Sequence, residues 1–363
     1  MLPHPKDQIT TSQAASIVIN AILGTGILTL PRASVDKVQT PDVWITVLIG
    51  GLLAILAGIV IVKLGQQFPK KTFYLYSQDI VGKWVGRFLG LLVTGYFIAT
   101  SGFQIRSLTE VTKFLLLEET PNWAIILPFM LVGLYLIIGG INPIARHFDI
   151  ILPITVVLFL LAIFLSFKIF EFENLRPVLG AGVIPVLKGV KTTALSFTGP
   201  EVMLFLVAFM REPNKAVKAV IVGITIPLIL YIITVIMVIG ALTADEVVTR
   251  TWPTLDLIRS FEISGLIFER FESLILAIWI MQMFTIYTIA HYGAALGLAQ
   301  IFKKNIHPIM VGLVPVIYLI SVIPKNLNDV FKLGDDIGNA ALLLFGVMPL
   351  LLLIIAKWVR RAP

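Results

Sequence analysis

Ile22-Leu23-Gly24-Thr25-Gly26-Ile27, inside the first apolar stretch, and Ser196-Phe197-Thr198-Gly199-Pro200-Glu201, just past the middle of the chain, are the two runs on which the fold turns. Glycine costs a helix conformational entropy and proline removes a backbone donor, so both runs are expected to unwind. In a bilayer no water meets the freed N–H and C=O groups, and such breaks persist only where they line a cavity within protein. In transporters built from inverted repeats, paired breaks mark a ligand site near the midplane, where broken helix ends aim donors and acceptors at the bound molecule.

The rest of the chain agrees with a membrane setting. Of 363 residues, 58% are hydrophobic and 13% charged, with mean hydropathy +0.96, which places the chain among polytopic membrane proteins. Cysteine is absent, so disulfides and Cys-based metal sites are excluded. No metal or cofactor site is expected, and neither a His-Glu-x-x-His, a phosphate-binding Gly-Lys-Ser/Thr nor a nucleophile elbow is present, so no enzyme is expected. Apolar runs predict ten spans, at about 10–31, 43–63, 84–117, 122–140, 149–168, 190–210, 217–242, 267–302, 308–323 and 338–358. An even count puts both termini on one side. The first run lacks a signal-peptide cleavage site and continues into Leu30-Pro31-Arg32, so it reads as an uncleaved helix.

Charge suggests which side that is. With the N-terminus inside, the inner segments hold 15 Lys and Arg and the outer segments 12, while acidic residues number four inside and fifteen outside. The high pI is then accounted for by a basic inner face toward anionic membrane lipid, not by nucleic-acid binding.

Gly24 and Thr198 lie 174 residues apart, and the two overlong spans, 84–117 and 267–302, take third place in each set of five. This predicts an all-α fold of ten helices in a five-plus-five repeat with broken helices one and six. Five spans per half oblige the second half to enter from the opposite side, so the repeats are inverted in topology. The whole of 1–363 is read as a single transmembrane domain, repeat one covering about 10–168 and repeat two about 190–358. A 34-residue helix is ~50 Å long against a hydrocarbon core of ~30 Å, so the third and eighth spans should tilt or protrude.

Five stretches resemble the B subunit of endospore germinant receptors, a branch of the amino acid, polyamine and organocation transporter superfamily. They are Gln8-Ile9-Thr10 through Gln13 to Gly24-Thr25-Gly26-Ile27-Leu28-Thr29-Leu30-Pro31; Val81-Gly82-Lys83-Trp84 with Gly86; Arg176-Pro177-Val178-Leu179-Gly180 through Thr198-Gly199-Pro200-Glu201; Glu269-Arg270-Phe271-Glu272-Ser273 with Trp279; and Ile323-Pro324-Lys325-Asn326-Leu327-Asn328 to Phe331-Lys332-Leu333-Gly334-Asp335. The resemblance covers essentially the whole chain. Pro200 departs from it, since that position is usually aromatic or apolar. What the resemblance implies is a nutrient-sensing, transporter-like subunit in the inner membrane of dormant spores, with both termini on the core side. It also implies partner A and C subunits and a response that begins with ion release. An ion-coupled amino acid transporter and a ligand-gated ion channel component are the alternatives.

Leu23, Gly24, Thr25 and Gly26 open a half-helix whose unpaired N–H groups and dipole suit a carboxylate. Carbonyls around Ser196, Phe197, Thr198 and Gly199 suit an ammonium, so the two breaks together describe an amino acid zwitterion. Close helix packing by small residues is the competing explanation of Gly24 and Gly26. Walls are expected from the third and eighth spans. Tyr96 and Thr100 form an i, i+4 pair on the third, and Phe284, Thr288 and Tyr292 lie one turn apart on the eighth, where the resemblance also implies ligand contacts. Either set would otherwise pack against neighbouring helices. His291 is read as packed or interfacial in preference to a proton relay.

Glu201 is an intramembrane carboxylate, which costs a few kcal/mol and needs a reason. It serves coupling or gating, as a site for a cation or proton or as a polar gate, or it caps the broken helix and bonds amides of the first span; the residues alone leave these open. Proton-coupled relatives place a lysine in span five, and between Phe148 and Phe167 this chain has none. Arg106 and Glu110, an i, i+4 pair near the outer end of the third span, form an interfacial ion pair or a gate above the site. Gly334-Asp335-Asp336 is expected in an outer loop, as a solvated turn or helix start.

Overall fold

The computed structural model describes residues 7–259 and 271–359. These are helical apart from connections and one isolated two-residue bridge. The elements in chain order are α1 (Thr11–Val38), α2 (Val43–Gln66), α3 (Phe73–Val81), α4 (Lys83–Leu115), α5 (Asn122–Ile138), α6 (Ile141–Ser166), α7 (Ile184–Leu195), α8 (Met203–Leu206), α9 (Ala216–Leu242), α10 (Ala244–Thr249), α11 (Pro253–Arg259), α12 (Phe271–Phe302), α13 (Ile306–Val322), α14 (Leu327–Ala341) and α15 (Met348–Val359).

Ten spans emerge from these elements. Five helices or helix pairs are long and apolar enough to cross a bilayer directly, the last running from Leu327 to Trp358 through a π-helical turn at Leu342–Val347. Two more are bent pairs: Thr11–Gly24 with Gly26–Val38, at 52°, and Ile184–Leu195 with Pro200–Phe209, at 44°. The 17-residue apolar helices α5 and α13 and the 32-residue α12 complete the set.

The repeat is visible in matched parts. Both halves open on a broken span; α4 and α12, third in each half, are 33 and 32 residues long and pack against each other; α5 and α13, fourth in each, have 17 residues. A short helix outside the spans, α3, follows the second span, and α10 with α11 follows the seventh at the corresponding place. This is the five-plus-five inverted arrangement expected from the spacing of the breaks.

Four span limits differ clearly from the sequence expectation, one of them the start of the fifth span, which lies at Ile141 in place of 149. The first span continues past Pro31 to Val38, although a proline inside a helix leaves the carbonyl four residues back without its donor. That carbonyl belongs to Ile27, and the Thr254 hydroxyl donates to it at 2.9 Å. The sixth span begins at Ile184, with Lys188 and Lys191 on its exposed side. The tenth begins at Leu327, capped by Asn326, whose side chain accepts from the Asp329 amide at 3.0 Å. Gly334-Asp335-Asp336 therefore lies inside α14 and not in a loop: Gly334 rests on Phe103 while the two carboxylates stay exposed.

The motif Thr10 to Gln13 is a capping box at the start of α1. The Thr10 side chain accepts from the Gln13 amide at 3.2 Å, and the Gln13 side chain accepts from the Thr10 amide at 3.0 Å. Just ahead of it the chain crosses to the end of the sixth span, where the Ile9 amide donates to the Phe209 carbonyl and the Arg211 amide to the Ile9 carbonyl, both at 2.9 Å. The two broken spans are thus joined where α1 begins and the sixth span ends.

Candidate functional site

The helix of the first span is lost at Gly24, whose ψ of −108° lies outside the helical region. Beside the break, the Tyr231 phenol of α9 donates to the Ile22 carbonyl at 2.6 Å. Gly26 makes this possible, because a Cβ there would overlap the phenol. A Cβ on Gly24 would likewise strike Ile286 of α12. Close packing and the helix break thus occur together in this motif.

In the sixth span, Gly199 adopts φ of +144°, which an L side chain rarely takes, and sits against the backbone of Ala21. Its amide donates to Glu201 Oε2 at 2.6 Å, while the Tyr96 phenol donates to Oε1, also at 2.6 Å. Glu201 is buried and takes part in no ion pair among the described residues. The capping expected of this carboxylate falls on its own turn, and its long-range partner is the third span, not amides of the first.

A cavity of about 460 Å³ lies between the two breaks. Ala21, Ile22 and Gly26 line it from α1, Tyr96, Thr100 and Gln104 from α4, Ser196 and Thr198 from the sixth span, and Trp279 and Ile286 from α12. It extends to Arg32, Asp36, Glu110 and Asp335, on the side where α1 ends. The guanidinium of Arg32 lies 6.0 Å from the Phe331 ring centroid, within cation–π range. Toward the termini the cavity is closed by rings: Phe97 meets Phe205 at 5.8 Å between centroids, and Tyr292 lies 6.3 Å from both Phe205 and Phe209.

Of the expected site residues, Gly26, Tyr96, Thr100, Ser196, Thr198 and, at the mouth, Glu110 line this cavity. Leu23 is wholly buried in the core, Gly24 abuts α12, and the Thr25 side chain lies outside what is described, as do Glu269 and Arg270. Phe197 turns to the Tyr231 ring, 5.2 Å away, and Gly199 packs on the first span. On α12, Phe284 stacks edge-on against Phe129 of α5 at 5.4 Å, and Thr288 donates to the Phe284 carbonyl at 2.9 Å beside Gly133. These two face the scaffold, and Tyr292 belongs to the aromatic closure. His291 is a packed residue, bridging Tyr287 (3.1 Å) and the Met310 carbonyl (3.0 Å). Arg106 pairs with Glu110 at 2.7 Å, its side chain 5% exposed against 23% for the acid, so the pair sits inside the cavity wall and not on the surface.

Several residues were not foreseen. Gln104 continues the Tyr96, Thr100 face by one more turn, a repeat of four that the sequence offered. Its Oε1 and the indole Nε1 of Trp279 are buried without a hydrogen-bond partner, and both residues line the cavity. An orphaned acceptor and an orphaned donor are each costly unless a ligand or water meets them. Deeper in the bundle, Gln282 donates to Asn20 Oδ1 at 3.1 Å and Thr155 at 2.9 Å, and Asn20 donates to the Ser16 carbonyl at 2.8 Å. This amide knot ties the first, fifth and eighth spans beside the break; intramembrane amides are its sequence signal. Among the described residues no group of three or more acidic or His side chains is placed to hold a metal.

The comparisons with known proteins agree with this geometry. The profile of spore germination proteins matches residues 8–330. Spore germination protein YndE of Bacillus subtilis (strain 168) is 56% identical over 357 residues, 98% of each chain, and spore germination protein A2 of the same organism is 40% identical over 98% of this chain and 97% of its own. Among solved structures, MhsT in complex with L-phenylalanine superposes with TM-score 0.71 at 11% identity, covering 98% of this chain and 99% of that one. The nucleobase-cation-symport-1 family transporter Mhp1, with bromovinylhydantoin bound, gives 0.68 at 14% identity over 96% and 79%. At such identities the likeness is one of fold.

Proposed function

The chain belongs to the spore germination protein family, and from that premise we propose that it is the nutrient-sensing membrane subunit of a germinant receptor. The observation that carries the reading is the 460 Å³ cavity between the two breaks, with the unmatched Gln104 acceptor and Trp279 donor in its wall. A pocket of this size suits a small nutrient. The helix start after Gly26 takes its carboxylate, and carbonyls near Ser196 together with Gln104 take its ammonium, so the nutrient is an amino acid.

Closure around it would draw the mouth residues Arg32 and Asp335 together and strain the Tyr96–Glu201 bond. The ligand shifts the population of two conformations by its differential affinity for them, and the A and C subunits receive the change. The chain is an integral multi-pass protein; its place is the spore inner membrane, with both termini in the core, which the excess of basic residues on that side supports. The cavity then opens outward, toward arriving nutrient.

The fold shared with transporters favours one second reading, ion-coupled amino acid uptake; a ligand-gated channel assembled with the partners is a variant of the first. The test is equilibrium binding of the twenty L-amino acids, one by one, to the purified chain in nanodiscs, alongside uptake into liposomes. Saturable binding without turnover supports the sensor. Accumulation by the lone chain at ordinary transporter rates overturns it, and so does binding that Gln104→Leu and Trp279→Phe leave unchanged.

A further inference from the structure

A second cavity, of about 210 Å³, lies against the other side of the sixth-span break, between α2 and the π-helical turn of the tenth span. Leu53 and Leu342, 45% and 36% exposed, stand at its edge. Both lie at the middle of their spans, Val43–Gln66 and Leu327–Trp358, so the crevice opens into hydrocarbon and not toward either aqueous face. Its walls are mostly apolar and include the small residues Ala57, Gly58 and Gly346, and the space beside Gly346 is open. One lining residue is charged: Glu201.

Leu195 and Thr198 line both cavities, so only a thin wall separates them. The wall is completed by Tyr96, whose ring meets Phe345 at 4.7 Å and whose hydroxyl holds Glu201. The Glu201 carboxylate accepts from the Tyr96 hydroxyl and from backbone amides of its own turn, all neutral donors, and no cationic side chain pairs with it among the described residues. A carboxylate buried without a counter-charge is costly. What fits is a molecule that arrives through the bilayer, fills the crevice with an aliphatic chain and brings its own positive charge.

We infer that the crevice is a lateral binding site for a linear primary alkylammonium, whose head pairs with Glu201 in competition with Tyr96. A diacyl phospholipid does not meet the requirement: its head stays at the interface, ~15 Å from a mid-depth mouth, and it delivers only a chain. A bare inorganic cation finds no further oxygen ligands in these walls. Drawing Glu201 away from Tyr96 loosens the wall of the main cavity, so an amphiphile dissolved in the membrane acts on that cavity from the side. This goes beyond nutrient sensing and does not depend on it.

The test is photolabelling of the purified chain in phosphatidylcholine nanodiscs with diazirine-bearing n-octylammonium, and with octanol and octanoate probes of the same chain. Adducts are mapped by mass spectrometry. The ammonium probe is expected to label 53–61 or 341–346 at least tenfold more than the alcohol, to be displaced by unlabelled octylammonium, and to lose its preference in Glu201→Gln. Gly346→Leu, which has room for its side chain, is expected to remove labelling without unfolding the protein. Equal labelling by all three heads overturns the inference, as does labelling confined to the main cavity around Gln104 and Trp279 or labelling unaffected by Gly346→Leu. Amino acid binding measured on the same sample keeps the two proposals apart.

Discussion

The phenol of Tyr96 donates to Glu201 Oε1 at 2.6 Å, joining the third span directly to the turn that restarts the sixth. Hydrogen bonds to a charged group contribute ~1.5–3 kcal/mol, and Glu201 is buried away from solvent. Tyr96→Phe and Glu201→Gln should each lower thermal stability in detergent, and the double variant should lose clearly less than the sum. A coupling energy below ~0.5 kcal/mol in that cycle is the additive result expected of independent sites, and it would remove the bond from the account.

Gln104→Leu and Trp279→Phe should behave in the opposite way. Each removes a buried polar atom that has no partner, so the ligand-free protein should melt at the same temperature or higher. Amino acid affinity should nevertheless fall about tenfold for each, which is ~1.4 kcal/mol. Loss of stability and affinity together would instead mark these side chains as structural.

Tyr231→Phe removes the phenol that donates to the Ile22 carbonyl at the break and should cost ~1–3 kcal/mol, read as a lowered midpoint in thermal unfolding. Gly26→Ala places a methyl where the phenol stands and should cost at least as much, whereas Gly346→Ala, with nothing near its Cβ, should be close to neutral. Equal effects at Gly26 and Gly346 would contradict this packing of the first break.

Because the chain has no cysteine, closure of the terminal face can be followed with a single introduced thiol. Met210→Cys, buried beside Ile9, should react slowly with a membrane-impermeant maleimide, and Ile9→Pro, which removes the donor to Phe209, should raise that rate several-fold. Unchanged reactivity would place the seal entirely in the rings of Phe97, Phe205, Phe209 and Tyr292.

The breaks at Gly24 and Gly199 were legible in the sequence because glycine and proline act locally, and the repeat followed from their spacing. Span ends were harder to read, since Arg32 and Asp335 resemble loop charges until a cavity mouth supplies them with water. The direction of α12 was not legible. An i, i+4 pair such as Thr288 and Tyr292 defines a face but not what it meets, and here Gly133 of α5 admits Tyr287 and Thr288 and turns Trp279 and Ile286 to the cavity. Tyr231 and Thr254, which donate to the carbonyls of Ile22 and Ile27, lie more than two hundred residues from the groups they serve, beyond any local pattern.

The parallel bridge between Ile9 and the strand of chain at 209–211 consists of two backbone bonds lying in series ahead of the first helix. Tension on the residues preceding Ile9 would load those bonds one after the other, as a zip is opened from its end, and not shear them together. A neighbour that grips this segment would therefore pull first on buried Asp7, which accepts from Asn142, and through it on the seam between both broken spans.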